Sequence, residues 1–180
     1  MKEIIVEVAK EVTDVLRNIN EDQALKLAAE LGKANRIFVT GEGRSGLMGK
    51  AFAMRLMHGG FEVYVTGETI TPTIEKGDLL IAITGSGTTS GLVQYTETAA
   101  GAGVRTAVVT TNSDAPILDK CDTYVLVPAA TKRRNAGEPE TIQPLGNQFD
   151  QSVHLFLDAV VIQVVGGDQE EMVARHANLE

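Results

Sequence analysis

Two short stretches of this chain hold residues whose types and spacing suit anion chemistry. Gly41-Glu42-Gly43-Arg44-Ser45-Gly46 sets three glycines around an arginine and a serine, and Thr84-Gly85-Ser86-Gly87-Thr88-Thr89-Ser90 packs five hydroxyls and two glycines into seven residues. Glycine permits φ > 0 and lets a ligand come close to backbone N–H groups. Where such a stretch runs into a helix, the unpaired N–H groups at the positive end of the helix dipole form an anion site. Arg44 would add a charge-assisted donor and Ser45 a hydroxyl. The candidate binding set is Arg44, Ser45, Thr84, Ser86, Gly87, Thr88 and Thr89.

Plainer readings exist for both stretches. The first can be a tight turn with Ser45 as helix N-cap, and the second a capped turn, although a cap uses one hydroxyl and this stretch offers five. The first also matches G-x-G-x-x-G, for which a dinucleotide site would expect an acidic residue roughly 20 positions on, near Glu62 or Glu68. Arg44 and Ser45 inside the loop, and the second hydroxyl-rich loop, speak against that. The spacing G-x-x-x-x-G-K-[ST] is missing and the second stretch has no lysine, so a monophosphate suits it better than a nucleoside triphosphate.

Other reactive side chains are scattered. Glu68 follows the second strand, where it can face solvent or pair with Arg44. Asp150, taken alone, reads as an exposed acid in a first helical turn, where the dipole favours it. His58 falls near a helix end, where a protonated imidazole suits the dipole; His154 reads as a packed or interface residue. Arg55 is placed to form a buried ion pair, and Lys132, Arg133 and Arg134 to form a solvated patch on the long loop or, alternatively, a lid contacting phosphate. The lone Cys121 cannot pair within the chain, and three separated histidines give no metal-ligand spacing, which points to a metal-free site and a reducing compartment.

The elements that must position these residues follow from hydrophobic period. Residues 3–33 read as two helices broken near Asn18-Ile19-Asn20. Five β-rich runs follow, at 36–40, 62–66, 79–84, 105–110 and 123–128, with helical stretches at 45–58 and 88–100 between them. Strands alternating with helices of this length require crossovers and therefore a parallel sheet covered on both faces. The expected fold is α/β and doubly wound, five parallel strands in the flavodoxin-like order 2-1-3-4-5 with N-terminal helices. In that order the loops leaving strands one and three diverge around a crevice where ligands bind, so both glycine-containing loops open into one cleft. Residues 129–147 read as a long polar loop. The apolar run 149–165 reads as a helix buried on one side by the sheet and on the other by a partner subunit.

Composition bounds the function. With 180 residues and 43% hydrophobic content, one domain spanning 1–180 can bury a core without metals or disulfides. No apolar run approaches the ~18 residues of a membrane span, and the N-terminus is amphipathic, so a cytoplasmic protein is expected. A formal net charge of -8 argues against nucleic acid as partner, because duplex binding needs clustered cations to displace counterions. A small phosphate ester is still allowed.

Gly43-Arg44-Ser45-Gly46, Ala53-Met54-Arg55-Leu56-Met57-His58, Gly67-Glu68-Thr69 with Thr71-Pro72, Gly85-Ser86-Gly87 and the ending Arg175-His176-Ala177-Asn178-Leu179-Glu180 occur in the right order for a known family. On these blocks the chain resembles the sugar isomerase domain family and, within it, the 6-phospho-3-hexuloisomerases from end to end. The resemblance implies cofactor-free interconversion of D-arabino-3-hexulose 6-phosphate and D-fructose 6-phosphate through a cis-enediolate, in formaldehyde fixation by the ribulose monophosphate route. It implies a homo-oligomer, usually a tetramer, with sites near subunit interfaces. It places the base in Phe149-Asp150-Gln151, where the family has Phe-Glu-Gln, so the carboxylate is retracted by one methylene. His176 is the second catalytic candidate, through the matching ending, and Glu68 is the other carboxylate candidate. A non-catalytic sugar-phosphate sensor and an isomerase of another phosphosugar are the alternatives.

Overall fold

Strands buried along nearly their whole length build the frame. A computed structural model describes residues 1–166 and 169–179. Its elements are α1 (Lys2–Arg17), α2 (Glu21–Lys33), β1 (Ile37–Gly41), α3 (Gly43–His58), β2 (Val63–Val65), β3 (Leu79–Ile83), α4 (Ser90–Gly101), β4 (Arg105–Thr110), a 3-10 turn at Pro116–Lys120, β5 (Thr123–Leu126), α5 (Asn147–Val165) and α6 (Gln169–Ala174). The strands form one parallel sheet in the order β2-β1-β3-β4-β5, as the spacing predicted. Ile37, Val39, Ile81 and Val109 face a large core closed by α1, α2, α3 and α5, while Phe38, Leu80, Ala82 and Val108 face α4 and the 3-10 turn. Period-two alternation in β1 sends neighbouring residues to opposite layers, and β3, central and buried throughout, is apolar at every position.

The break between the first helices is real: α1 stops at Arg17, and Asn20 caps α2 by accepting the Gln23 N–H at 3.1 Å. Several strand ends shifted by one or two residues, and the helix starts that bear on the cleft moved as well. Helix α3 starts at Gly43, two residues before the expected 45; α4 starts at Ser90 and not 88; α5 starts at Asn147, which trims the polar loop. Neither the 3-10 turn nor α6 was anticipated. The first is a single turn opened by Pro116, and the second has six residues with no apolar stripe for a period to register. Cys121 is only partly buried, with its thiol donating to the Leu118 carbonyl at 3.4 Å. No helix among the described residues is long and apolar enough to cross a membrane.

Residues 127–146 form an ordered strap knotted by its own side chains. Arg134, in the left-handed region at φ 51, donates to the carbonyls of Thr131, Gln143 (2.6 Å) and Leu145 (2.9 Å). Glu138 accepts the Thr131 N–H and hydroxyl, both at 2.8 Å. Arg134 is exposed, as a solvated patch requires, but its guanidinium is engaged by three backbone carbonyls. The strap is held down by Glu11 of α1, which is 9% exposed and accepts from the Thr141 hydroxyl (2.5 Å), the Ile142 N–H (2.8 Å) and the Gln143 amide (2.9 Å).

Burial pushes the Glu11 carboxyl up, but those donors, together with Gln148, outweigh it and hold its pKa below 4.5. A carboxylate whose pKa is depressed on folding contributes stability that is complete above its unfolded value and is lost as pH falls through the folded one. Glu11→Ala is expected to cost about 2 kcal/mol near neutrality, the scale of hydrogen bonds to a charged acceptor. In urea titrations the gap between variant and parent should close below pH 4.5. An equal gap at both pH values would contradict the clasp.

Candidate active site

The first loop is a backbone-on-backbone contact. A Cβ on Gly46 would lie 2.6 Å from the Gly41 carbonyl oxygen, and one on Gly41 would meet Gly46 N and Cα at 3.0 Å and the Ile83 carbonyl oxygen at 3.1 Å. The outer glycines of the motif thus let the end of β1 touch the first turn of α3. Gly43 takes φ +58, which starts the helix early.

Ser45 is consequently not the N-cap. That position belongs to Glu42, whose side chain caps nothing. Set inside the first turn, Ser45 donates to Asp150 Oδ1 at 3.2 Å, and Arg44 Nε lies 3.1 Å from Asp150 Oδ2. Arg44 also donates to the Asn147 side chain, so two residues of α5 receive one guanidinium.

Asp150 is 5% exposed, not the solvent-facing acid that its position in a first turn suggested. Burial raises its pKa above the ordinary 3.8, and the Ser45 hydroxyl and Arg44 charge pull the other way without cancelling it. A buried carboxyl held by a hydroxyl and a cation, with its affinity for protons raised, suits proton transfer at carbon.

The second loop is shaped by its own hydroxyls and by β4. Thr84, at the end of β3, accepts the Gly87 N–H at 3.1 Å, and Ser86 Oγ accepts from the Thr88 N–H (3.3 Å) and hydroxyl (3.1 Å). Gly87 has φ +66, and a Cβ there would lie 2.2 Å from that of Ala115. It sits beneath the loop and shapes it, while Thr84, Ser86, Thr88 and Thr89 line the cleft. The Gly85 carbonyl accepts from the hydroxyls of Thr110 (3.2 Å) and Thr111 (2.8 Å), and Asn112 Nδ2 donates to the Ser86 carbonyl at 3.3 Å. These supports were missed in the sequence, although the polar run Thr110-Thr111-Asn112-Ser113 directly after a strand was a signal for a third loop on the same sheet edge.

The two loops, the residues after β4, the strap and the first turn of α5 enclose a cleft of about 660 Å³. A hollow of similar size, about 680 Å³, lies between α1 and the strap, but there the Glu11 carboxylate is committed to the clasp. The cleft between the loops has hydroxyls, a helix N-terminus and a buried carboxyl together, which is what anion and proton chemistry need.

Arg44, Ser45, Asp150 and the hydroxyls of the second loop meet there; Glu68 and His176 lie outside it. Glu68 is exposed and 3.9 Å from Lys50, not paired with Arg44. His176 stacks on His58 with ring centroids 5.1 Å apart, at the C-terminal end of α3. A helix of 16 residues is roughly 24 Å long, so Arg44 and Ser45 lie at the other end. His58 is 4% exposed, and burial, then His176 and Arg55, push its pKa down, so the neutral ring is favoured over the protonated one that the helix dipole suggested. His154 and Arg55 both approach Asp158, at 3.7 and 4.0 Å, and the Arg55 pair is not the buried one expected, because both of its side chains are open to solvent. Lys132 and Arg133 line the cleft from the strap. Among the described residues no group of three His, Cys, Asp or Glu side chains could hold a metal ion.

The chain is similar to known proteins along most of its length. The model of the SIS domain family matches residues 30–139. A 3-hexulose-6-phosphate isomerase of Bacillus subtilis is 38% identical over 99% of this chain and 98% of its own, and one of Mycobacterium gastri is 43% identical over 96% and 88%. The crystal structure of a Methanococcus jannaschii protein, for which a function of 3-hexulose-6-phosphate isomerase was inferred, superimposes with a TM-score of 0.84 over the full length of both chains at 30% identity.

Proposed function

The chain belongs to the SIS domain family, and from that membership we propose that it binds a phosphosugar and isomerises 3-hexulose 6-phosphate to fructose 6-phosphate. The observation that carries the reaction is the Asp150 carboxyl, buried and held between Ser45 and Arg44 on the wall of a cleft floored by the hydroxyl-rich loop. The phosphate is received by Ser86, Thr88 and Thr89 and by the free N–H groups at the start of α4. Asp150 takes the proton from C2 of the 3-ketose, the electron pair forms the C2–C3 double bond, and the resulting enediolate is stabilised by the Arg44 guanidinium. Return of a proton to C3, with transfer of the proton on the C2 oxygen to the oxygen on C3, gives the 2-ketose. Hydrogen only moves within the substrate, so the step balances without a redox partner. The test supplies purified protein with 3-hexulose 6-phosphate and follows fructose 6-phosphate. Binding without turnover would leave a sugar-phosphate sensor.

The same reading makes residues 1–180 one SIS domain, supported by the shared core of α1, α2, α3 and α5 with the sheet. It also makes the protein a homo-oligomer, with a tetramer favoured. In support, Ile4 and Ile5 on α1, Leu47 and Met54 on α3, and Leu155 and Ile162 on α5 are all exposed. His176 can then act only in a neighbour's cleft, given its distance from Arg44 along α3. Asp150→Asn and His176→Asn chains, each impaired alone, should regain turnover when refolded together, because mixed oligomers contain sites with both groups intact. No gain on mixing would remove His176 from the site.

A further inference from the structure

Isomerisation needs two proton movements, one between carbons and one between oxygens, and Asp150 has both of its oxygens engaged by Ser45 and Arg44. Among the described residues, the charged or titratable side chains facing the cleft, besides Asp150, are Glu42, Arg44, Lys132, Arg133 and Glu138. Glu138 is committed to Thr131 and Asn135, and Arg44 to Asp150 and Asn147. Lys132 and Arg133 are cations that donate only.

Glu42 is different. It stands at the N-cap of α3 with an extended backbone, φ -116 and ψ 151, yet its side chain makes no cap. It reaches instead across to the second loop: a Cβ added at Gly91, in the first turn of α4, would lie 2.8 Å from Glu42 Oε1. The glycine at 91 leaves the room that this carboxylate occupies, between the phosphate-binding loop and the Arg44-Ser45-Asp150 group. A carboxylate with no hydrogen bond or ion pair among the described residues can take a proton and pass it on, which a relay between two oxygens requires.

We propose that Glu42 is the second acid/base group of the site, relaying the proton between the oxygens on C3 and C2 while Asp150 serves the carbons. The assignment rests on the isomerase reading above. In the forward direction, once Asp150 has formed the enediolate, the Glu42 carboxylate takes the proton from the oxygen on C2 and gives it to the oxygen on C3 as the carbonyl forms on C2, and so ends in its starting state.

The test runs the parent chain, Glu42→Gln and Asp150→Asn in heavy water with 3-hexulose 6-phosphate, measuring both fructose 6-phosphate and deuterium at C2 of the recovered substrate. Loss of an acid/base group should lower kcat of Glu42→Gln by about 10²-fold with KM little changed. Deuterium should still enter C2, since Asp150 can form the enediolate, and Asp150→Asn should lose that exchange. Glu42→Asp should recover part of the turnover. Parental kcat in Glu42→Gln, a change in KM alone, or loss of C2 exchange together with turnover would each overturn the relay. Failure of the parent chain to turn over would instead remove the isomerase reading.

Gly91→Ala offers an independent readout, because alanine is the better helix former and should leave the thermal midpoint no lower. Its methyl displaces the Glu42 carboxylate, and kcat should fall at least about tenfold. An unchanged kcat would overturn the working position assigned to Glu42.

Discussion

Asp150→Asn is expected to lower kcat by about 10²-fold or more while leaving phosphosugar affinity nearly intact, as loss of a positioned general base does. The substitution keeps the shape and the Ser45 contact but removes the basic oxygen. The phosphate contacts proposed above come from a different loop, after β3, and should not register the change. Because burial lifts the Asp150 pKa above 3.8, the parent enzyme should lose turnover on acidification at a pH above that value, where the carboxylate becomes protonated. That acid limb should be missing from the residual activity of the variant. The neutral amide also leaves Arg44 without its charged partner, so a modest rise in KM is compatible with the role. Unchanged kcat is not.

Gly46→Ala is expected to damage both stability and turnover. The added Cβ would sit 2.6 Å from the Gly41 carbonyl oxygen and 3.0 Å from its carbon, and both are backbone atoms that cannot swing away as a side-chain tip can. Overpacking of this kind costs about 1–3 kcal/mol, more than the roughly 1 kcal/mol that alanine returns as helix propensity. Relief requires α3 to shift away from β1, which carries Arg44 and Ser45 away from Asp150 on α5. A misplacement of about 1 Å can cost on the order of 10²-fold in rate. A lower thermal midpoint together with a fall in kcat/KM of at least about tenfold is the expected result; a parental melting curve would show that the contact is slack. The contrast with Gly91→Ala is instructive, since both glycines lie in helices. The neighbour of Gly46 is fixed backbone, whereas the neighbour of Gly91 is a mobile carboxylate, so only the first should destabilise the fold.

Much of this architecture was legible in residue order. The alternation of β-rich runs with helical stretches gave the parallel sheet and its order, because crossover length is a local property that a parallel sheet cannot evade. The hydroxyl density of Thr84–Ser90 marked a loop whose needs exceeded those of a cap. The environment of single side chains was less legible. Asp150 looked like a solvated acid in a first turn, yet it is buried, because what covers it is α3, more than a hundred residues earlier in the chain. Glu42 went unnoticed because a glutamate before a helix is unremarkable until Gly91, across the cleft, shows where its carboxylate lies. The strap read as loop because its order comes from Arg134, Glu138 and the distant Glu11, none of which has a period.

The sequence by itself determined the class of fold, the two loops facing one cleft and, through its resemblance to a family, the expected reaction. Tertiary structure alone decided which carboxyl is buried beside Arg44, which glycines are steric necessities, and that Glu68 and His176 stand outside the cleft of their own chain. The physical reason is range. Period, turn chemistry and dipoles act within a few residues, whereas burial, ion pairing and pKa depend on groups that meet only when α3, α4 and α5 converge on the carboxyl edge of the sheet.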